Sequence, residues 1–572
     1  MNSIERKLQT NLNKIGEWAT DNGFIFSYDK TECVHFWKVK GSQKPELTLN
    51  NKPIKVSAKA KFLGLIWDRG LTFQDHVQYL RGKCLKALGM FRVLSKSDWG
   101  ADTHTLLQLY KALVRSKIDY GCIVYSSASH HILKQLYSVN NEALRICTGA
   151  FKSSPITSLH AECHEMPPQL RHQLLALQYA IKLKSNRENP AYEGIFHGDD
   201  ALVNYVSDNS DEEEEEEESE AFKKQKESLS KKRQSLPATF CGRLQADAAE
   251  CDIPFDSISN QEIPKIEPWL IQSPHIDYRL SNLPKATTNP HQYEALFEEV
   301  VDSYKGYTHI YTDGSKKDEK VGCAASWPFG SLQTRIPDGS SIFSAEAVGL
   351  LNALKIIRES KRKKFIIFSD SLSCLQSIEN EDLCNTLILK FLQTYTRLLR
   401  KRKVVVLCWI PSHIGIDGNE KADEEAKSSL DLDIRPLKIP FTDFLPKAKQ
   451  YYHDLWQSWW ETKTDFLTKV HPQLKKKRYD PSLTRREQRA LCRIRIGHSR
   501  LTHGYRMDGH TERPKCAECN TTLTIKHIMV DCPKYQEERN NYLDGSTTEE
   551  IFDNSDRAII TFARECEFFD LL

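Results

Sequence analysis

Four acids, far apart along the chain, stand in settings that suit divalent-cation chemistry. Asp313 lies in Tyr311-Thr312-Asp313-Gly314-Ser315, and Glu346 lies in Phe343-Ser344-Ala345-Glu346-Ala347. Asp370 follows the apolar run Phe365-Ile366-Ile367-Phe368-Ser369, and Asp423 closes Gly418-Asn419-Glu420-Lys421-Ala422-Asp423. Hard cations such as Mg2+ or Mn2+ take a few carboxylates plus substrate phosphate and water. Two such ions about 4 Å apart activate a water and stabilise the leaving oxygen when a phosphodiester is cut. Singly, each acid has an ordinary alternative: Asp313 a turn residue, Glu346 in the first turn of a helix serving its dipole, Asp370 an N-cap, Asp423 a solvated surface group. Jointly, strand-end Asp, helical Glu, strand-end Asp and helical Asp in this order make a metal pocket the better expectation.

A second constellation is Cys516-x2-Cys519-x7-His527-x4-Cys532. Three thiolates and an imidazole at this spacing close tetrahedrally around zinc and leave no position for water, so one structural Zn2+ is expected. The alternative is a set of buried cysteines with a chance histidine. The other cysteines among the 16 are irregularly spaced and read as ordinary thiols of a reducing compartment.

The elements that would position the acids follow from periodicity. Residues 308–312 read as a strand, 321–327 as a second, 344–358 as a helix, 365–369 as a buried strand, 387–399 as a helix, 404–410 as a strand and 419–429 as a closing helix. Strands alternating with helices predict a mixed sheet covered by helices, with ligands at strand ends. Asp417 and Glu420 read as helix-start residues in a capping-box arrangement.

This stretch resembles a ribonuclease H domain, whose signature is a strand ending in Thr-Asp-Gly-Ser, a helical Glu, a strand ending in Asp-Ser and a final Gly-Asn-Glu-x-Ala-Asp; all are present in order. The resemblance implies a mixed five-stranded sheet with flanking helices over residues 303–432. It implies that Asp313, Glu346, Asp370 and Asp423 bind two Mg2+ (or Mn2+), and that the substrate is the RNA strand of an RNA-DNA hybrid. His413, in Trp409-Ile410-Pro411-Ser412-His413, matches the family's loop histidine and would assist proton transfer or product release. Backbone groups at Gly314 and Ser315 would contact the substrate, where the RNA 2′-hydroxyl can be required. Leu372 departs from the Gln that cellular members carry two residues after the third acid.

With 572 residues the chain is long enough for several domains, and multidomain α+β and α/β architecture is expected. The net charge of +3 hides an acidic run of ten residues, Asp208, Asp211, 212–218 and Glu220, against basic clusters at 361–364, 400–403 and 475–478 that suit phosphate. Residues 186–300 read as a disordered charged linker. Residues 1–73 resemble a partial reverse transcriptase palm: 23–26 and 34–36 read as a strand pair, and Lys61-Phe62-Leu63-Gly64-Leu65-x-x-Asp68 looks like the primer-gripping hairpin. Residues 74–185 would be a helical thumb, with Leu106, Leu109, Tyr110, Leu113 and Val114 on one helix face. A helical connector at 433–508 and a Cys-Cys-His-Cys tail at 509–572 complete the order of a jockey-like non-LTR retrotransposon polyprotein. The polymerase acids of that family would precede Met1, so polymerase activity is not expected of this chain alone. The leading expectation is a hybrid-cutting endonuclease; the alternative is a non-catalytic nucleic-acid-binding remnant of a reverse transcriptase polyprotein. Neither a signal peptide nor a run of about 18 apolar residues is present, so an intracellular protein without membrane contact is expected.

Overall fold

The computed structural model describes residues 3–36, 44–196, 244, 248–261, 264–282, 289–476, 478–507, 509 and 512–572. The acidic run at 208–220 lies outside the described residues. The chain divides into two compact units, one of residues 177–451 and one of residues 1–176 with 452–572.

The unit of residues 177–451 is built on a six-stranded sheet. In chain order its elements are β1 Ile276–Asp277, α1 Pro290–Ser303, β2 Thr308–Lys317, β3 Lys320–Trp327, β4 Gly330–Ile336, α2 Ile342–Glu359, β5 Lys364–Ser369, α3 Leu372–Glu379, α4 Thr386–Arg400, β6 Val404–Trp409 and α5 Asp417–Ser428. The sheet order is β4-β3-β2-β5-β6-β1. β2, β3 and β4 pair antiparallel, whereas β2 with β5, β5 with β6 and β6 with β1 run parallel. β5 explains the arrangement: Phe365, Ile366, Ile367 and Phe368 are all buried, as a central parallel strand covered on both faces requires. α2 and α4 supply cover through Leu350, Leu354, Ile357, Ile388, Phe391 and Leu392.

Two expectations change here. The sheet has six strands rather than five, because Ile276 and Asp277 pair with Leu407 and Cys408. The reading of 186–300 as linker fails for part of its span, where β1 and α1 bury Ile276, Tyr293 and Val300. The polar composition of that stretch masks these few anchors.

The other unit holds two apolar clusters. One joins Val77, Leu80, Leu88, Phe91, Leu106, Tyr110, Val114, Leu136 and Leu144, in agreement with the helical spacing read from 106–114. The other joins Leu159 to Trp456, Trp460, Leu491, Ile494, Ile528, Met529, Ile559 and Phe562, so the expected division at 508/509 is not a structural one. Near the N-terminus, residues 23–26 form no strand; Phe24 and Ile25 are exposed, and Glu32–Val34 pairs instead with Lys55–Ser57. Lys59–Phe62 and Leu65–Asp68 form the hairpin that the resemblance implies. Among the described residues, no helix is long and apolar enough to cross a membrane.

Candidate active site

Asp313 sits within β2, opposite Ala324 of β3, and not at a strand end as its Gly-Ser neighbours suggested. Pairing with β3 carries the ladder on to Lys317. Glu346 lies beyond the first turn of α2, whose N-cap is Ser341, and is 7 % exposed, which sets aside a mere dipole role. The Ser341 hydroxyl accepts from the Ser344 N–H at 3.1 Å and donates to Asp443 at 3.0 Å, fixing the start of this helix. Asp370 follows β5, its carbonyl accepting from the Trp409 indole at 3.2 Å; the N-cap of α3 is Ser371.

These elements bring carboxylate oxygens of Asp313, Glu346 and Asp370 within 4.8 Å of one another. Asp423, on α5, reaches the group through a hydrogen bond to Asp313 and is held on its other side by Lys427 at 2.6 Å. Burial and the charge of Asp370 push the Asp313 carboxyl up to about 7. Burial and the charges of Asp313 and Asp370 push Glu346 well above the usual carboxylate range. Glu346 Oε2 is buried with no hydrogen-bond partner. Like charges gathered where two of the carboxylates are buried and two half-buried, with an orphaned acceptor oxygen, fit a bound cation.

Two glycines let the elements approach this closely. A Cβ at Gly314 would stand 3.0 Å from Ala345 Cβ and 3.1 Å from Glu346 Cδ, so its missing side chain admits α2. The Gly314 N–H donates to Asp313 Oδ1 at 2.8 Å. A Cβ at Gly418 would stand 2.3 Å from the Tyr311 ring. Ser315 continues β2 opposite Gly322.

His413 lies exposed in the segment between β6 and α5, with a left-handed φ of 54°, outside the carboxylate cluster. Leu372 begins α3 and is exposed. The capping-box reading of Asp417 and Glu420 is corrected: Ile416 is the N-cap of α5, without a side-chain cap, and Asp417 is already helical. Lys427 is a neighbour that sequence reasoning missed, although its spacing of four residues from Asp423 was a usable signal.

The second constellation also assembles. Ligand atoms of Cys516, Cys519, His527 and Cys532 lie within 4.8 Å of one another. The sulfurs of Cys516 and Cys519 are each 3.8 Å from that of Cys532, and about 3.8 Å is the edge of a tetrahedron with Zn–S bonds of about 2.3 Å. The Cys519 backbone N–H and the His527 imidazole pull the Cys516 thiol down to about 6. His527 Nε2 is buried without a partner. Arg539 donates to the carbonyls of Ile528 and Cys532 at 3.0 and 2.6 Å, which fixes the helical turn His527–Asp531 and its C-cap Cys532, the carriers of two of the four residues.

The sheet order and the acids it gathers define a domain of the ribonuclease H class, and the family described as RNase H matches residues 305–431. Curated relatives point to one kind of parent protein. The chain is 26% identical over 149 residues to "Probable RNA-directed DNA polymerase from transposon X-element" of Drosophila melanogaster, covering 26% of this chain and 16% of that one. It is 29% identical over 110 residues to "Retrovirus-related Pol polyprotein from type-1 retrotransposable element R1" of Bradysia coprophila, covering 19% and 11%. It is 27% identical over 147 residues to "RNA-directed DNA polymerase from mobile element jockey" of Drosophila melanogaster, covering 25% and 16%. The match therefore spans less than a fifth of each of these relatives. A solved structure, "Crystal structure of LC11-RNase H1 in complex with RNA/DNA hybrid", is similar at 18% identity and a TM-score of 0.18, covering 22% of this chain and 96% of that one. Together the sequence likenesses fit the C-terminal part of a jockey-like non-LTR retrotransposon polyprotein.

Proposed function

We propose that residues 303–432 form a metal-dependent endonuclease that hydrolyses the RNA strand of RNA-DNA hybrids. The observation that carries this reading is the meeting of Asp313, Glu346 and Asp370 within 4.8 Å, with Asp423 bonded to Asp313. Asp313, Glu346, Asp370 and Asp423 would hold two Mg2+ or Mn2+ ions, which when bound supply an activated water and neutralise charge on the leaving oxygen. The chain's own part is to keep the carboxylates converged: α2 seats Glu346 against β2, β5 delivers Asp370, and Lys427 holds one oxygen of Asp423. His413 is positioned on an exposed segment where an imidazole can carry a proton to or from solvent. Gly314 and Ser315 are proposed as backbone contacts for the hybrid. The Cys516, Cys519, His527 and Cys532 set would hold one structural Zn2+.

A second reading, a non-catalytic nucleic-acid-binding remnant of a reverse transcriptase polyprotein, is favoured by the Lys427–Asp423 ion pair, which satisfies one acid from within the chain. The full chain incubated with Mg2+ and a hybrid labelled on its RNA strand separates the two. Cleavage is expected, with loss of about a thousandfold in Asp370→Asn. Equal cleavage by both proteins, or binding without cleavage by the unsubstituted chain, overturns the enzyme reading.

A further inference from the structure

In the unit of residues 1–176 and 452–572, segments distant in sequence surround a cavity of about 370 Å3 with Arg92, Lys96, Arg145, Arg485, Arg489 and Arg493. The acidic groups beside it are fewer: Glu142, 3.6 Å from Arg92 and 3.5 Å from Arg145, Asp98 near Arg489, and the terminal carboxylate of Leu572, 2.6 Å from Arg493. Neutral acceptors anchor the guanidinium groups of Arg485 and Arg489. Arg485 donates to Thr103 Oγ1 at 2.8 Å and to the Ile146 carbonyl at 3.0 Å, Arg489 to Ser97 Oγ at 2.7 Å, and Arg493 to the Gly149 carbonyl at 2.9 Å and to the terminal carboxylate of Leu572 at 2.6 Å. Their positions are thereby fixed, and of the three only Arg493 is hydrogen-bonded to a negative charge. Arg485 is 5 % exposed, and its Nε, like that of Arg145, is buried without a partner. Burial and neighbouring guanidinium groups push Arg493 down to about 10 and lower Arg485 as well.

Anchored guanidinium forks match phosphate oxygens. Six cations against three acidic groups still call for more negative charge than a single phosphate brings. Arg92 and Lys96 are exposed and continue the charge to the surface, and the same turn presents Trp99, 65 % exposed. A basic cavity with an open aromatic ring close in sequence to its lining residues Lys96 and Ser97 suits a single nucleic-acid strand, with phosphates on the cations and a base on the ring.

We infer that this cavity is a binding site for the phosphate backbone of a single nucleic-acid strand, separate from the carboxylate pocket. The test uses the full chain and a fluorescein-labelled single DNA strand, without added divalent metal, with anisotropy read across a salt series. Arg489→Gln and Lys96→Gln are each expected to weaken binding about three- to tenfold and to reduce the slope of log K against log salt by about 0.7. Trp99→Ala is expected to weaken binding at least about fivefold with the slope unchanged. Lys96 is exposed, so its substitution decides the matter even if Arg489→Gln fails to fold. Unchanged affinity and slope in Lys96→Gln overturn the inference. So does a rise in melting temperature with inorganic phosphate that Arg489→Gln and Lys96→Gln abolish while strand binding is unaffected, since that marks a free-ion site.

Discussion

Asp313 and Glu346 are buried side by side, and folding alone makes them hold protons that a solvated carboxyl would release. The sign of the consequence follows from proton counts. Asp313 titrates at about 7 in the folded chain against an ordinary value of 3.8, so between those pH values the folded state binds the extra proton. Stability of the metal-free unit is therefore unaffected below about pH 4 and falls as pH rises toward 7, with Glu346 acting in the same direction. Asp313→Asn removes one of the repelling charges. It is expected to stabilise the metal-free unit by roughly 1–2 kcal/mol at pH 8 and hardly at all at pH 4. Mg2+ should stabilise the unsubstituted chain at pH 8 and not the variant. Urea unfolding at both pH values, with and without Mg2+, checks this; coincident midpoints at pH 8 would sink it.

The helix α5 comes close to the sheet because residue 418 has no side chain. Helix propensity alone would favour Gly418→Ala by as much as about 1 kcal/mol. Packing opposes it, since the new methyl meets the Tyr311 ring, which is itself stacked on Phe368 at 4.9 Å. The variant is expected to displace α5, carry Asp423 away from Asp313 and lower hybrid cleavage tenfold or more, with helix content by circular dichroism unchanged. Cleavage at the unsubstituted rate would show that Asp423 need not be held there. The same scale explains what the sequence disclosed. β5 was legible because an unbroken apolar run bounded by charge is what a central parallel strand needs, and α4 because its apolar residues recur at three and four. The four acids were legible because each sits in a short local motif. β1 was not, being two residues whose pairing depends on β6 far away in sequence. Residues 23–26 look like a strand by β-propensity alone but find no partner. The arginine cavity left no trace, because Arg145 and Arg489 meet only through the packing of their helices.

For the whole molecule, the two metal constellations belong to different units, each with its own buried apolar residues. The Cys-Cys-His-Cys set is not a pendant module: Ile525, Ile528 and Met529, beside His527, share a core with Trp456, Trp460 and Leu159. Losing the metal there would leave His527 Nε2 buried and unpaired and would loosen the helical turn that seats Ile528 and Met529. Cys519→Ser, at a half-buried position, is therefore expected to remove one zinc, read by native mass spectrometry. It should lower the melting temperature of the unit of residues 1–176 and 452–572 by about 5 °C or more. Because the carboxylates lie in the other unit, Mg2+-dependent cleavage of a hybrid, measured below that melting temperature, should change by less than about twofold. Zinc loss without a change in melting temperature would mean that the apolar contacts alone fix this core, and zinc loss that abolishes cleavage would mean that the two units do not act independently.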